Sequence, residues 1–143
     1  MLTRIDHVGI ACRDLAKAIA FYESTFGLQV VSREENAGQG VREAMLRVAD
    51  APAGTSYVQL LEPLGPDTPV GRFLARRGEG VHHIGYGVAD IRAALTSIGA
   101  TGVRLIDARP RHGSMGASIA FLHPADVGGV LTELVQSAPA DPG

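Results

Sequence analysis

The chain states one pattern twice. Ile5-Asp6-His7-Val8-Gly9-Ile10 and Val81-His82-His83-Ile84-Gly85-Tyr86 are short apolar stretches with a histidine at the same place, 76 residues apart. Each runs into an aspartate and an amphipathic segment, at Asp14-Leu15 and Asp90-Ile91. The echo also closes both halves. Tyr57-Val58-Gln59-Leu60-Leu61 and Leu131-Thr132-Glu133-Leu134-Val135 are apolar stretches 74 residues apart, each with one side-chain oxygen donor at its centre. A four-stranded unit of roughly 60 residues is marginal alone, so the two copies are expected to complete each other.

Periodicity and punctuation supply the elements. Residues 4–12 read as a strand, Asp14 as an N-cap, Leu15, Ala18, Ile19 and Tyr22 as one helical face, and Gly27 as the stop. Strands follow at 28–33, 41–48 and 56–62, around a turn at 36–40 and a Pro/Gly break at 52–54. Thr68-Pro69 opens a short helix with Val70, Phe73 and Leu74 facing inward and Gly78 at its end. The second half predicts strand 81–88, a helix from Asp90 to Ile98 stopped by Gly99, strand 103–106, a loop at 107–114, strand 115–122, a turn at 123–129 and strand 130–136. The fold class is α+β, two tandem βαβββ modules forming a half-open, eight-stranded, barrel-like cup. The first module covers residues 1–62, a linker with a short helix 63–80, the second module 81–136 and a flexible tail 137–143, all in a single structural domain.

Strand alternation predicts which side chains line the cup. His7 brings Gly9 and Ala11 with it, and His83 brings Gly85 and Gly87. Gln59 shares its face with Tyr57 and Leu61, and Glu133 with Leu131 and Val135. Glu43 and Met45 on the third strand are matched at an offset of 74 by Ala117 and Ile119. The small residues beside the histidines predict empty volume next to a metal, for which a purely structural ion would have no need.

Imidazoles from His7 and His83, an amide oxygen from Gln59 and a carboxylate from Glu133 make an N2O2 donor set. It contains no thiolate, which speaks against a closed structural zinc site. On a metal that accepts octahedral geometry, four ligands leave two adjacent positions for a chelating substrate. With one carboxylate a divalent cation keeps a net positive charge, suited to a substrate that gains negative charge on oxygen. Glu43 breaks the internal symmetry, since its counterpart is Ala117. Near such a cation it suits a general base that takes a proton from carbon beside a carbonyl; the bland alternative is a surface glutamate paired with Arg42 or Arg47. His82 alternates to the other face, as an outer or surface residue, and His112 and His123 fall in loops.

The remaining composition sets bounds. At 143 residues with 45% hydrophobic and 20% charged residues, the chain can bury a proper core. A net charge of −2 gives no reason to bind nucleic acid or an anionic membrane. No apolar run is long enough to span a bilayer, and the opening residues have no secretory apolar region. The single cysteine, Cys12, reads as a small core residue, and a cytoplasmic location is expected.

The segments IDHVGIACRDL, FYESTFGL, EENAGQGVREAML, YVQLLEP, VGRFLARRGEGVHHIGYGVADI, RHGSMGASIAFLHP and GVLTELV together resemble the vicinal oxygen chelate (glyoxalase) superfamily, and within it the methylmalonyl-CoA epimerase family. The resemblance spans about residues 1–136. It implies metal ligands at His7, Gln59, His83 and Glu133, and a catalytic base at Glu43. Glutamine at position 59 separates this group from glyoxalase I relatives, which carry glutamate there. The implied reaction interconverts (2R)- and (2S)-methylmalonyl-CoA, with cobalt(II) as the usual metal and manganese, nickel or zinc also suited to the ligands. Glu133, while a ligand, or a water-relayed group would serve as the second acid. A homodimer is implied, and Arg72, Arg76, Arg109 and Arg111 are candidates for coenzyme A phosphate contacts or ordinary solvated arginines. The second helix and residues 106–109 depart from the family pattern, which leaves the acyl group open, ethylmalonyl-CoA included. Rival readings on the same fold are a glyoxalase-type lyase, an iron dioxygenase and a metal-free drug-sequestering protein.

Overall fold

The computed structural model describes residues 1–139. Its elements are β1 (Leu2–Ala11), α1 (Leu15–Phe26), β2 (Leu28–Asn36), β3 (Val41–Val48), β4 (Tyr57–Pro63), α2 (Pro69–Arg77), β5 (Gly80–Val88), α3 (Ile91–Ala100), β6 (Arg111–His112), β7 (Ser118–Leu122) and β8 (Thr132–Gln136). Hydrogen bonds order the strands β2-β3-β4-β1-β5-β8-β7-β6 in a mixed sheet. Both repeats obey one plan. β1 pairs with β4 in parallel, as β5 does with β8, and the other registered pairs, β2–β3, β3–β4, β6–β7 and β7–β8, are antiparallel.

The duplication reaches the backbone dihedrals. The N-caps Asp14 and Asp90 sit at φ −139°, ψ 105° and φ −137°, ψ 103°, and each carboxylate accepts the N–H three residues on. The first N–H of each helix then finds a side chain from the last strand of its own repeat. Leu15 N–H donates to Glu62 Oε1 at 3.0 Å, and Ile91 N–H to Gln136 Oε1 at 2.9 Å. Caps of this kind each hold about 1 kcal/mol of helix stability. α2 opens as expected, with Pro69 in the first turn and the Thr68 hydroxyl accepting from Gly71 N–H.

The chain falls into two compact units, Asp6–His83 and Met1–Ile5 together with the residues from Ile84 on. In the first, alternation divides the sheet. Ala44, Leu46 and Leu60 pack with Cys12, Leu15 and Ile19, so α1 covers that face. Ala11, Val41 and Leu61 pack on the other face with Val70 and Leu74 of α2. In the second unit, Ala120, Leu122 and Leu134 pack against Ile91, Ala94 and Leu95 of α3, and Ala117, Ile119, Phe121 and Val135 cluster apart from them.

Three sequence expectations need correction. Residues 103–106 form no strand; only a bridge from Leu105 to Leu122 remains of it. The strand next to β7 is instead β6, two residues long and inside the expected loop, where Gly113 N–H bonds to Ala117 C=O. Gly99 does not stop α3, which runs to Ala100 and is capped at Thr101. Of the expected tail, Ser137, Ala138 and Pro139 have no regular structure, and residues 140–143 lie outside the described residues. Among the described residues no helix is long and apolar enough to cross a membrane.

Candidate active site

His7, Gln59, Glu43 and His83 are all buried in the unit Asp6–His83, at 3%, 5%, 1% and 2% exposure. The strand register explains their assembly. Gln59 on β4 lies between Met45 of β3 and Gly9 of β1, and Glu43 is opposite Leu61. Gly9 is two residues from His7, on the same face of β1. The expected alternation therefore holds here.

The two histidines meet through Nε2, 2.9 Å apart, with the rings at 84° and their centroids 5.1 Å apart. His7 Nδ1 bonds to Asp6 Oδ2 at 2.8 Å, and Asp6 is itself buried. His83 Nδ1 meets His82 Nδ1 at 2.9 Å. Burial, reinforced by the His7 and His82 imidazoles, holds His83 well below its ordinary pKa, and burial takes His82 down to about 4. Both rings are therefore neutral near pH 7, the form in which imidazole is a metal ligand.

Gln59 Nε2 donates to Glu43 Oε2 at 3.0 Å, which fixes the orientation of the amide and directs its buried Oε1 away from that carboxylate. Glu43 is not the surface glutamate of the bland alternative. Arg42 pairs with Glu62 and Glu35. Two buried acids, Asp6 and Glu43, lie beside the imidazoles, so the pocket gathers oxygen and nitrogen donors of the kind that take a cation.

One expectation about the space around the histidines is overturned. A Cβ built on Gly9 would lie 2.3 Å from His83 Cε1. At Gly9 the missing side chain admits the His83 imidazole instead of leaving empty volume.

Glu133 lies in the other unit, on β8, buried at 4% and registered against Gly85 of β5 and Phe121 of β7. The arginines suggested for phosphate contacts divide. Arg111 pairs with Asp107 at 3.0 Å and lies over the Phe121 ring, and Arg72 donates to the Asp67 carbonyl. Arg76 and Arg109 are exposed. His112 is exposed on β6, and His123 accepts the Ala125 N–H in a 3-10 turn at Pro124–Asp126. Cys12 is a core residue as expected.

Sequence reasoning missed two members of this neighbourhood. Asp6 holds His7, although its place directly before a repeated histidine was a visible signal. Phe73 of α2 packs at 83° on the His82 ring, with centroids 5.1 Å apart, where its apolar periodicity indicated only core.

A solved Streptomyces coelicolor methylmalonyl-CoA epimerase variant in complex with 2-nitronate-propionyl-CoA is 54% identical to this chain, with a TM-score of 0.93 over 97% of this chain and 100% of that one. The family model described as Glyoxalase/Bleomycin resistance protein/Dioxygenase superfamily matches residues 6–121. The chain belongs to that superfamily, in its methylmalonyl-CoA epimerase family. Among curated members, the ethylmalonyl-CoA/methylmalonyl-CoA epimerase of Cereibacter sphaeroides is 36% identical over 95% of this chain and 99% of its own length. The human mitochondrial methylmalonyl-CoA epimerase is 37% identical over 95% of this chain and 75% of its own length.

Proposed function

We propose that this epimerase-family protein interconverts the 2R and 2S forms of methylmalonyl-CoA by moving the proton on C2. The observation that carries the reading is the buried pair Glu43–Gln59. A carboxylate at 1% exposure weakens the fold through lost hydration, and its retention is best explained by work as a base. Glu43 takes the C2 proton while the C–H electron pair moves into the thioester to form an enolate. A second acid then returns a proton to the opposite face of C2. The candidates for that acid are the buried Glu133 in its protonated form, which becomes the carboxylate as it gives up the proton, or a water-relayed group.

Beside His7 and His83, whose Nε2 atoms approach to 2.9 Å, Gln59 and Glu133 are the further ligands of the proposed metal ion, and all four side chains are buried. The residues fit such an ion: His7 and His83 bring Nε2 to one place, and the donors are nitrogen and oxygen. Cobalt(II) is the first choice, with manganese, nickel and zinc as alternatives. When bound, the cation supplies the positive charge that offsets negative charge developing on the thioester oxygen. The side chains of this chain do the rest: the imidazoles would hold the ion, Gln59 orients Glu43, and Glu43 carries the proton.

Ethylmalonyl-CoA is a second substrate reading, favoured by the name of the Cereibacter sphaeroides relative. A homodimer in the cytoplasm completes the proposal. Phe21 and Phe26, 54% and 62% exposed on α1, offer apolar surface to a second copy, and a buried free thiol at Cys12 suits a reducing compartment. Deuterium wash-in at C2 of methylmalonyl-CoA in D2O, with and without EDTA, tests the reaction. Rapid exchange that chelation abolishes is expected. No exchange with any of the four metals would overturn it, and exchange indifferent to EDTA would remove the metal.

A further inference from the structure

Asp6 and His82 occupy equivalent places in the repeat, each directly before an imidazole of the cluster. Asp6 Oδ2 accepts from His7 Nδ1 at 2.8 Å, and His82 Nδ1 meets His83 Nδ1 at 2.9 Å. Beyond those contacts the two imidazoles face each other through Nε2. A carboxylate only accepts, so in the neutral form that binds metal the single N–H of His7 lies on Nδ1 and its Nε2 carries a lone pair. His83 reaches the same tautomer only if its Nδ1–H donates to a lone pair on His82 Nδ1. The ring of His82 is in turn packed edge to face against Phe73 of α2.

We propose that Asp6 and His82 are a duplicated pair of positioning residues, each holding Nδ1 of the next histidine so that both Nε2 lone pairs serve one divalent cation. The inference rests on the metal reading above and adds the means by which the two ligands are oriented. The two halves of the device differ in strength. A charge-assisted bond to a carboxylate is roughly twice as strong as one between neutral groups, so His7 is the more firmly anchored ligand and the more basic donor. Partners in this outer position change metal affinity by roughly 10–100-fold. At position 82 the requirement is only an acceptor where Nδ1 now stands. At position 6 it is an acceptor with a negative charge.

The test titrates cobalt(II) into metal-free wild type, His82→Leu and His82→Asn, followed by visible absorption, with the metal-free melting temperature of each measured alongside. Asparagine places Oδ1 near the position of the imidazole Nδ1. His82→Leu is expected to bind cobalt about 10–100-fold more weakly. His82→Asn should stay within about threefold of wild type, with metal-free melting temperatures of the two variants in agreement. Cobalt affinity in His82→Leu equal to wild type, or a loss that asparagine does not restore, overturns the inference and leaves the metal reading standing. A wild type that binds no divalent cation overturns both. Should His82→Leu fail to fold, Asp6→Asn decides. It keeps size and an acceptor but loses the charge, and about tenfold weaker cobalt binding is expected; unchanged affinity overturns the inference.

Discussion

Gln59 Nε2 donates to Glu43 Oε2 across 3.0 Å, tying the proposed base to a proposed ligand. The bond couples proton transfer to ligand orientation, yet the two roles separate by substitution. Glu43→Gln keeps the shape of the side chain and a partner for Gln59 but removes the group that accepts a proton. Cobalt content near wild type is expected, together with C2 deuterium exchange slowed by at least about 10²-fold. Metal analysis and exchange on the same sample check both halves. Wild-type exchange in the variant would take Glu43 out of the mechanism.

Gly9 and His83 share one small volume. A Cβ at position 9 would meet three atoms of the His83 ring at 2.3 to 2.7 Å. That ring is held by His7 on one side and His82 on the other, so it has little room to yield. Gly9→Ala is expected to destabilise the protein by about 1–3 kcal/mol through overpacking and to weaken cobalt binding as His83 is displaced. Urea unfolding and a cobalt titration read the two effects. An unchanged titration would mean that the His83 imidazole finds another way to present Nε2.

Much of this was legible because the chain repeats itself. His7 and His83 could be read together as ligands because each fixes the register of the other, and Asp14 and Asp90 announced two helices with nearly identical caps. Strand faces followed from alternation, which placed Glu43, Gln59 and Glu133 among the buried residues. The misreadings fall where the repeat has diverged. Val103-Arg104-Leu105-Ile106 has the composition of a strand, but it meets residues 121–123 only through the single Leu105–Leu122 bridge, and a registered strand beside β7 begins at Arg111. Gly99 looks like a helix stop, but it lies inside α3, which ends one residue later, and its C=O accepts from Gly102 N–H. The Gly9–His83 fit was illegible for a different reason. Alternation says which side a residue faces, and only the approach of another strand says what fills the space.

Cys12 offers a test of the core beneath α1. Burial, with the carboxylates of Glu62, Glu79 and Asp14 adding to it, pushes its thiol up to about 12, and Sγ donates to the Leu61 carbonyl at 3.5 Å. The thiolate is the reactive form. Native protein at about pH 8 is therefore expected to react with a disulfide reagent only as fast as it unfolds, and unfolded protein to react completely and quickly. Rapid stoichiometric labelling of the native state would show that this part of the core opens readily.

The Arg104–Asp126 pair gives an acid-side prediction with a definite sign. Asp126 accepts from Arg104 three times, from the backbone N–H at 2.9 Å, from Nε at 2.9 Å and from Nη2 at 3.2 Å. The Arg104 side chain first, then its backbone N–H, holds the Asp126 carboxyl down to about 2 against an ordinary 3.8. A lowered native pKa means that the unfolded chain binds the proton more tightly. The stabilising contribution is therefore fully present above an ordinary carboxyl pKa of 3.8 and fades as pH falls towards 2. Asp126→Asn should melt below wild type at neutral pH, with the gap closing across that window. Both groups lie at the surface, so 1 M salt should narrow the gap at neutral pH as well. Melting curves at matched ionic strength check this. A gap that persisted below both pKa values would mean that Asp126 acts through the Arg104 backbone bond and the shape of the 124–126 turn rather than through its charge.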